Sequence, residues 1–324
     1  MSSGTETIDV QITDISVPAD DTRAFWLARS DGVALPAYPP GSHIDVYLPG
    51  GLVRQYSLCG TDAGAPVYRI AVKLEPASRG GSAWLHSAAR VGTRLRIGTP
   101  RNAFALNDAA RHHLLIAGGI GVTPILSMAH ALAASARSYT LAYFARRDAS
   151  VVFRTEFGRP PLAEHAHIHV GLSPAATREH VADLLSAALP DTHVYVCGPA
   201  AFMDMAVGLA RSALDPQCVH QESFGAAAPV AGDEREFSVQ LEGMDRAIFV
   251  PADKTVLACL REAGVDVASS CEVGVCGTCM MRVLVGEPDH RDTYLTDDER
   301  ASGTCFLPCV SRSRSPVLVL DEPV

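Results

Sequence analysis

The sequence has no long uninterrupted apolar run. Its most hydrophobic stretch, Leu114 to Ala134, is broken by Gly118, Gly119, Gly121, Thr123, Pro124 and His130, which makes it a poor membrane span and argues against a membrane protein. Residues 1 to 8 (MSSGTETI) lack the basic start and apolar core of a signal peptide, so export is not expected. Basic residues are outnumbered, 27 against 36 acidic ones for a net charge of −9, which disfavours a nucleic-acid partner. A disulfide framework is also missing, because nine cysteines cannot all pair and five of them are scattered singly. That usage suits a reducing cytoplasm. With 48% hydrophobic and 19% charged residues over 324 positions, the composition is that of a globular protein long enough for two or three domains.

The remaining four cysteines are ordered. Cys271-Glu-Val-Gly-Val-Cys276-Gly-Thr-Cys279 spaces three thiols by four and then two residues, with a fourth far downstream, as in the ligand pattern of a plant-type [2Fe-2S] cluster. One short loop must aim three thiolates at two irons, and Gly274 and Gly277 let backbone approach without a Cβ. A zinc-binding interaction protein is the reading of another class. It would normally carry a second CxxC, and Cys305 and Cys309 have three residues between them. Both are candidates for the fourth ligand. Twenty-nine residues separate Cys279 from Cys309, the plant-type interval, which selects Cys309. Charge gathers around this region: residues 233–324 hold 17 acidic and 9 basic side chains, a balance of −8, and the rest hold 19 and 18. An acidic face there would steer a basic protein partner.

Upstream, residues 7–98 read as short strands. Apolar positions alternate at Val10 and Ile12 and at Ile44, Val46 and Leu48, with further strands expected at Val53 to Cys59, Val67 to Lys73 and Arg94 to Gly98. Proline and glycine clusters separate them at intervals typical of an antiparallel barrel. Within this region Arg54-Gln55-Tyr56-Ser57 combines a fixed cation, an aromatic face and a small hydroxyl, which suits an anionic ligand with a planar ring. Arg79-Gly80-Gly81-Ser82 precedes a short helix expected from Ala83, a ready phosphate site. The two segments suit opposite ends of a flavin mononucleotide.

RQYSLC, AVK, SRGGS and PRN (Pro100 to Asn102) together resemble the flavin domain of the phthalate dioxygenase reductase family, with Ser78 standing where the family often has glycine. The resemblance implies FMN held by Arg54, Gln55, Tyr56 and Ser57, by Ala71, Val72 and Lys73, and by Arg79, Gly80, Gly81 and Ser82. The Ser57 hydroxyl would lie near the reactive flavin nitrogen N5.

Farther on, an apolar strand His112 to Ala117 runs into GGIGVTP and a helix from Ile125, a nucleotide-binding arrangement although Pro124 replaces the third glycine of the usual fingerprint. A glycine turn packed closely on a sheet is the structural alternative. Strands at Ser138 to Phe144, His167 to Val170 and His193 to Val196, helices from Arg178 and Ala201, and the Cys197-Gly198-Pro199 turn complete an α/β parallel-sheet pattern. GGIGVTP with CGP resembles the pyridine-nucleotide domain of the ferredoxin reductase superfamily. That implies a nicotinamide near Cys197, cofactor contacts at Gly118, Gly119, Gly121, Gly198 and Pro199, and Thr123 reaching toward the flavin. NADH is expected over NADPH, since the Ser-Arg pair of NADPH-binding relatives is absent after Gly171. Glu222-Ser223-Phe224-Gly225 closes the segment, and the resemblance implies that Phe224 stacks on the flavin; an ordinary core phenylalanine is the alternative.

The expected organisation is an FMN-binding barrel (1–104), an NAD-binding α/β domain (105–225), a linker (226–234, AAAPVAGDE) and a β-grasp ferredoxin domain (235–324). In the last, a hairpin at Phe237 to Leu241 and Ala247 to Val250 precedes a helix Thr255 to Ala263 and a strand from Met280. NADH yields two electrons at once and a [2Fe-2S] cluster takes one, so a flavin between them is chemically required. The domain order is similar to that of reductases serving two-component Rieske oxygenases. It implies a cytoplasmic, monomeric NADH-dependent reductase with catalytic roles for Ser57 and Cys197, metal ligands Cys271, Cys276, Cys279 and Cys309, and a separate oxygenase or demethylase docking at the acidic ferredoxin domain. A stand-alone NADH:flavin oxidoreductase is the alternative.

Overall fold

A computed structural model describes residues 7–60, 67–76, 78, 80–224, 235–244, 246–269, 272, 274, 277–292 and 294–321. The chain divides into two units, one ending at Phe224 and another starting at Gly225.

The first unit begins with six antiparallel strands: β1 (Thr7–Ala19), β2 (Thr22–Arg29), β3 (His43–Leu48), β4 (Leu52–Ser57), β5 (Val67–Lys73) and β6 (Arg94–Gly98), with helix α1 (Gly81–Ser87) between the last two. They lie in the order β4-β3-β6-β1-β2-β5. A bridge from Leu58 to Ile70 joins the edges, and Cys59 N–H donates to Arg69 O (2.9 Å), so the sheet closes into a barrel. Ile8, Val10 and Ile12 of β1 point inward and alternate with exposed or half-exposed neighbours, as strand periodicity requires. Strand β2 breaks that rule. Phe25 and Leu27 fill the barrel while Ala24 and Trp26 pack on the adjoining sheet, so both faces are apolar.

That sheet is parallel and follows directly: β7 (His112–Gly118), α2 (Val122–Ala134), β8 (Tyr139–Ala145), α3 (Arg154–Phe157), β9 (Ala166–Val170), α4 (Pro174–Ser186), β10 (Thr192–Cys197), α5 (Ala200–Ala213) and β11 (Val219–Glu222). Its order is β11-β10-β7-β8-β9. Helices α2 and α3 share a core with the barrel, and α4 and α5 cover the opposite face. Two ties fix barrel to sheet. Gly41 N–H donates to Ser127 Oγ of α2 (2.9 Å), and Arg69 of β5 grips Glu156 of α3 through two bonds (2.9 and 3.0 Å), with His130 of α2 on the same carboxylate (2.6 Å).

The second unit holds β12 (Phe237–Leu241), β13 (Ile248–Val250), α6 (Val256–Glu262), β14 (Met281–Val285), β15 (Pro288–Asp289), α7 (Asp297–Ser302), β16 (Cys305–Phe306), β17 (Arg312–Ser313) and β18 (Val317–Leu320). Five strands form a mixed sheet, β13-β12-β18-β14-β16, and β15 pairs with β17. Thr255 caps α6, whose buried face includes Val256, Leu257, Cys259 and Leu260. This is the β-grasp layout, with a helix crossing the sheet ahead of the cysteine loop. Among the described residues no helix is long and apolar enough to cross a membrane.

Candidate functional site

The first site lies on β4 and α1. Gly80 and Gly81 let α1 settle against β4: a Cβ at Gly81 would stand 2.6 Å from Arg54 Cγ, and one at Gly80, where φ is +93°, would stand 2.8 Å from Leu52 Cδ1. Ser78 is engaged locally, accepting from Ser82 Oγ (3.0 Å) and Ala83 N–H (3.2 Å), so this replacement for glycine anchors the start of the helix. Arg101 and Asn102 of PRN fasten the barrel, on Asp45 Oδ2 (2.6 Å) and Pro40 O (2.9 Å). Ala71 and Val72 are buried in β5, and Lys73 Nζ stands 3.7 Å from Glu75. Burial raises the Tyr56 phenol. Gln55 Nε2 is buried with no hydrogen-bond partner among the described residues. An unmade buried donor costs about 1–3 kcal/mol, so an acceptor-rich ring lying against β4 fits this surface. Arg79 lies outside the described residues.

The second site is the crevice where β7 and β10 meet. These neighbours send their following helices to opposite sides of the sheet, the switch point at which ligands gather in open α/β folds. The two turns touch backbone to backbone. A Cβ on Gly121 would collide with the Cys197 carbonyl and stand 2.6 Å from Gly198 N, while one on Gly118 or Gly198 would strike Phe202 (2.8 and 2.7 Å). Gly119 has φ +52° and open space beside it. The glycines therefore bring two turns together at one strand end, as the close-packing alternative requires, and leave Gly119 facing the opening. Thr123 is buried and donates to Ile120 O (3.1 Å).

Between these sites four side chains converge. Ser57 at the end of β4 donates to Glu222 Oε2 (3.3 Å), His43, its register partner on β3, places Nδ1 4.0 Å from Glu222 Oε1, and Cys197 is the register partner of Glu222 across β10 and β11. Burial pushes Glu222 up to about 8, with Ser57 opposing, and pushes His43 down to about 4, helped by Arg101. Burial and then the Glu222 carboxyl raise the Cys197 thiol well above its ordinary value. Near neutral pH the group is thus largely uncharged: carboxylic acid, imidazole, thiol and hydroxyl. Sequence reasoning picked Ser57 and Cys197 and missed His43 and Glu222, although Glu222 opens the motif from which only Phe224 was drawn. Phe224 is 41% exposed, which excludes the core alternative.

In the second unit, Cys279 and Cys309 are buried, and Cys305 is half-buried on β16. Cys271 and Cys276 lie outside the described residues. Gly274 and Gly277 have φ of +76° and +70°; a Cβ on the first would stand 2.6 Å from Val310 Cγ2, and one on the second would collide with the Tyr294 ring. Thr278 Oγ1, beside Cys279, is buried without a hydrogen-bond partner among the described residues. A glycine-lined loop with buried thiols and an open hydroxyl donor fits a sulfur-rich anionic centre.

Family comparisons agree with this layout. Residues 239–314 match the 2Fe-2S iron–sulfur cluster binding domain, and residues 93–215 match the N-terminal domain of dimethylamine monooxygenase subunit DmmA-like proteins. The chain is 43% identical over 315 residues to vanillate O-demethylase oxidoreductase of a Pseudomonas species, covering 97% of this chain and 99% of that one. It is 40% identical over 318 residues to the carnitine monooxygenase reductase subunit of Escherichia coli, covering 97% and 98%. The solved structure of phthalate dioxygenase reductase, described as modular for electron transfer from pyridine nucleotides to [2Fe-2S], superposes with a TM-score of 0.77 at 36% identity over 97% of this chain and 98% of that one.

Barrel, switch-point crevice and cysteine loop thus define an NAD(H)-dependent flavin and iron–sulfur oxidoreductase. The chain belongs to the phthalate dioxygenase reductase family.

Proposed function

We propose that this chain is the NADH-oxidising reductase of a two-component system, with FMN as its flavin and a separate oxygenase or demethylase as its acceptor. The observation that carries the reading is the buried meeting of Ser57 and His43 from the barrel with Cys197 and Glu222 from the sheet. When bound, the flavin supplies the conversion between a two-electron hydride donor and a one-electron centre. Arg54, Gln55, Tyr56, Ser57, Ala71 to Lys73 and Arg79 to Ser82 bind and orient it. Gly118, Gly119, Gly121, Gly198 and Pro199 shape the nicotinamide crevice, Thr123 braces the turn, and Phe224 covers the flavin ring. Cys197, held as a neutral thiol, packs beside the nicotinamide without adding charge. Ser57 offers its hydroxyl at the reacting face, and Glu222 holds that hydroxyl in place, so water is excluded and orientation is preset. Cys271, Cys276, Cys279 and Cys309 ligate the cluster. The boundary between FMN and NAD domains falls at residues 104/105, and the linker spans 226–234. Oxygenase-system names among the relatives support the partner, the acidic balance of residues 233–324 supports docking at the ferredoxin domain, and the cysteine usage supports a reducing, cytoplasmic location.

The test is an anaerobic visible spectrum of the purified holoprotein. Flavin and iron–sulfur bands should appear together, and NADH should bleach both. Bleaching of flavin alone would reject the proposed chain and leave a stand-alone flavin oxidoreductase.

A further inference from the structure

A cavity lies in the first unit at the end of the parallel sheet opposite the crevice. Strands β7, β8 and β10 begin there, and their register sets His112 beside Thr192 and Leu114 beside Thr140. Paired residues of a parallel sheet share a face, as do residues two apart on one strand, and Leu114 packs in the core under α4 and α5, so all four side chains look toward those helices. The last turn of α4 and the chain leaving it cover them with Leu184, Ala187, Ala188 and Leu189, and the space between measures about 240 Å³.

The chemistry of the walls is selective. Thr192 is 3% exposed, and its hydroxyl has no hydrogen-bond partner among the described residues. The neighbouring polar groups satisfy one another: His112 Nε2 meets Thr140 Oγ1 (3.2 Å), and its Nδ1 meets Ser138 Oγ (2.8 Å). Burial first, then His113 and His165, lower the His112 pKa, so this imidazole is neutral near pH 7. The lining residues thus carry no charge, and a charged guest would shed its hydration with nothing to replace it. Leu189, 57% exposed, gives the cavity an apolar rim that a guest would cover.

We propose that this cavity is a binding site for a small uncharged phenol, its ring against the leucines and its O–H donating to Thr192 Oγ1. A cavity of about 150 Å³ takes up benzene, so 240 Å³ accommodates a ring with one or two small substituents. A rigid ring also loses fewer internal rotations on binding than an alkyl alcohol of equal size. The site is independent of the flavin, nicotinamide and cluster readings. Strand β7 separates it from the glycine turns by about 20 Å, at roughly 3.3 Å per residue.

The experiment is calorimetric titration of the purified holoprotein with 4-methylphenol, which is uncharged at pH 7 as the phenol of tyrosine is. Sodium 4-methylbenzoate, the same ring with a carboxylate, is the charged counterpart. One saturable site for 4-methylphenol is expected, and none for 4-methylbenzoate. Thr192→Val keeps the shape and removes the hydroxyl, so it should weaken binding about tenfold. Ala188→Leu fills the cavity and should abolish binding. Both variants should bleach with NADH as the wild type does, because neither touches the cofactor sites. Absence of saturable 4-methylphenol binding, equal affinity for 4-methylbenzoate, or unchanged binding in Ala188→Leu overturns the proposal, whatever the outcome of the spectral test for flavin and cluster. If Thr192→Val does not fold by circular dichroism, Ala188→Leu decides the matter.

Discussion

Glu222 and His43 carry opposite pH signatures from one cavity. Glu222 is held at about 8 against an ordinary 4.5, so between those values the folded state keeps a proton that the unfolded state gives up, and stability declines as pH rises through that window. His43 is held at about 4 against 6.5, so its contribution is lost as pH falls from 6.5 toward 4. The two trends oppose each other below about 6.5, and from there to about 8 only the Glu222 decline remains. Glu222→Gln should abolish it: urea midpoints at pH 6.5 and 8.5 are expected to differ in the wild type, by a stability change on the order of a few kcal/mol, and to coincide in the variant. Coincident wild-type midpoints would remove the basis for a protonated Glu222. Neither residue was legible beforehand, because each draws its character from burial by a distant strand: Glu222 meets Ser57, 165 positions away. Ser57 and Cys197 were legible because they sit inside dense local motifs.

At the scale of elements, the β7 and β10 turns work as one unit. Gly121, the N-cap of α2, lies directly against the Cys197 carbonyl, leaving no room for a side chain. Gly121→Ala must part the turns, an overpacking cost of about 1–3 kcal/mol, and since about 1.4 kcal/mol is tenfold in affinity, NADH binding should weaken by tenfold or more. Flavin content should not change, because the barrel residues are untouched. Equal loss of flavin and NADH binding would mean that the substitution unfolds the unit and does not merely open the crevice. The sequence pattern located both turns yet started α2 at Ile125, three residues late, since Pro124 reads as a break although it is tolerated in a first turn. Strand β2 escaped notice for a related reason: buried on both faces, TRAFWLAR shows no alternation. Strands β15 to β17, two residues each, are too short to carry any period.

Across the whole molecule, cofactor order and charge are the features most directly written in the chain, since spacing motifs and net charge survive without knowledge of tertiary contacts. The acidic excess of −8 over residues 233–324, against −1 elsewhere, belongs to the unit that carries the 2Fe-2S domain, the electron exit in the proposed chain. Long-range attraction of a basic acceptor by such a field acts over a Debye length of about 30 Å at 0.01 M salt and about 8 Å at 0.15 M. NADH-driven reduction of a basic protein acceptor, with cytochrome c as the probe, should therefore slow several-fold between those two conditions. The bleaching of flavin by NADH is an event of the first unit, where acidic and basic residues nearly balance, and its rate should change far less. Stopped-flow traces at the two ionic strengths separate the steps. A salt-independent acceptor rate would place docking away from the acidic unit, whereas equal slowing of both steps would mean that salt disturbs NADH binding and says nothing of the exit.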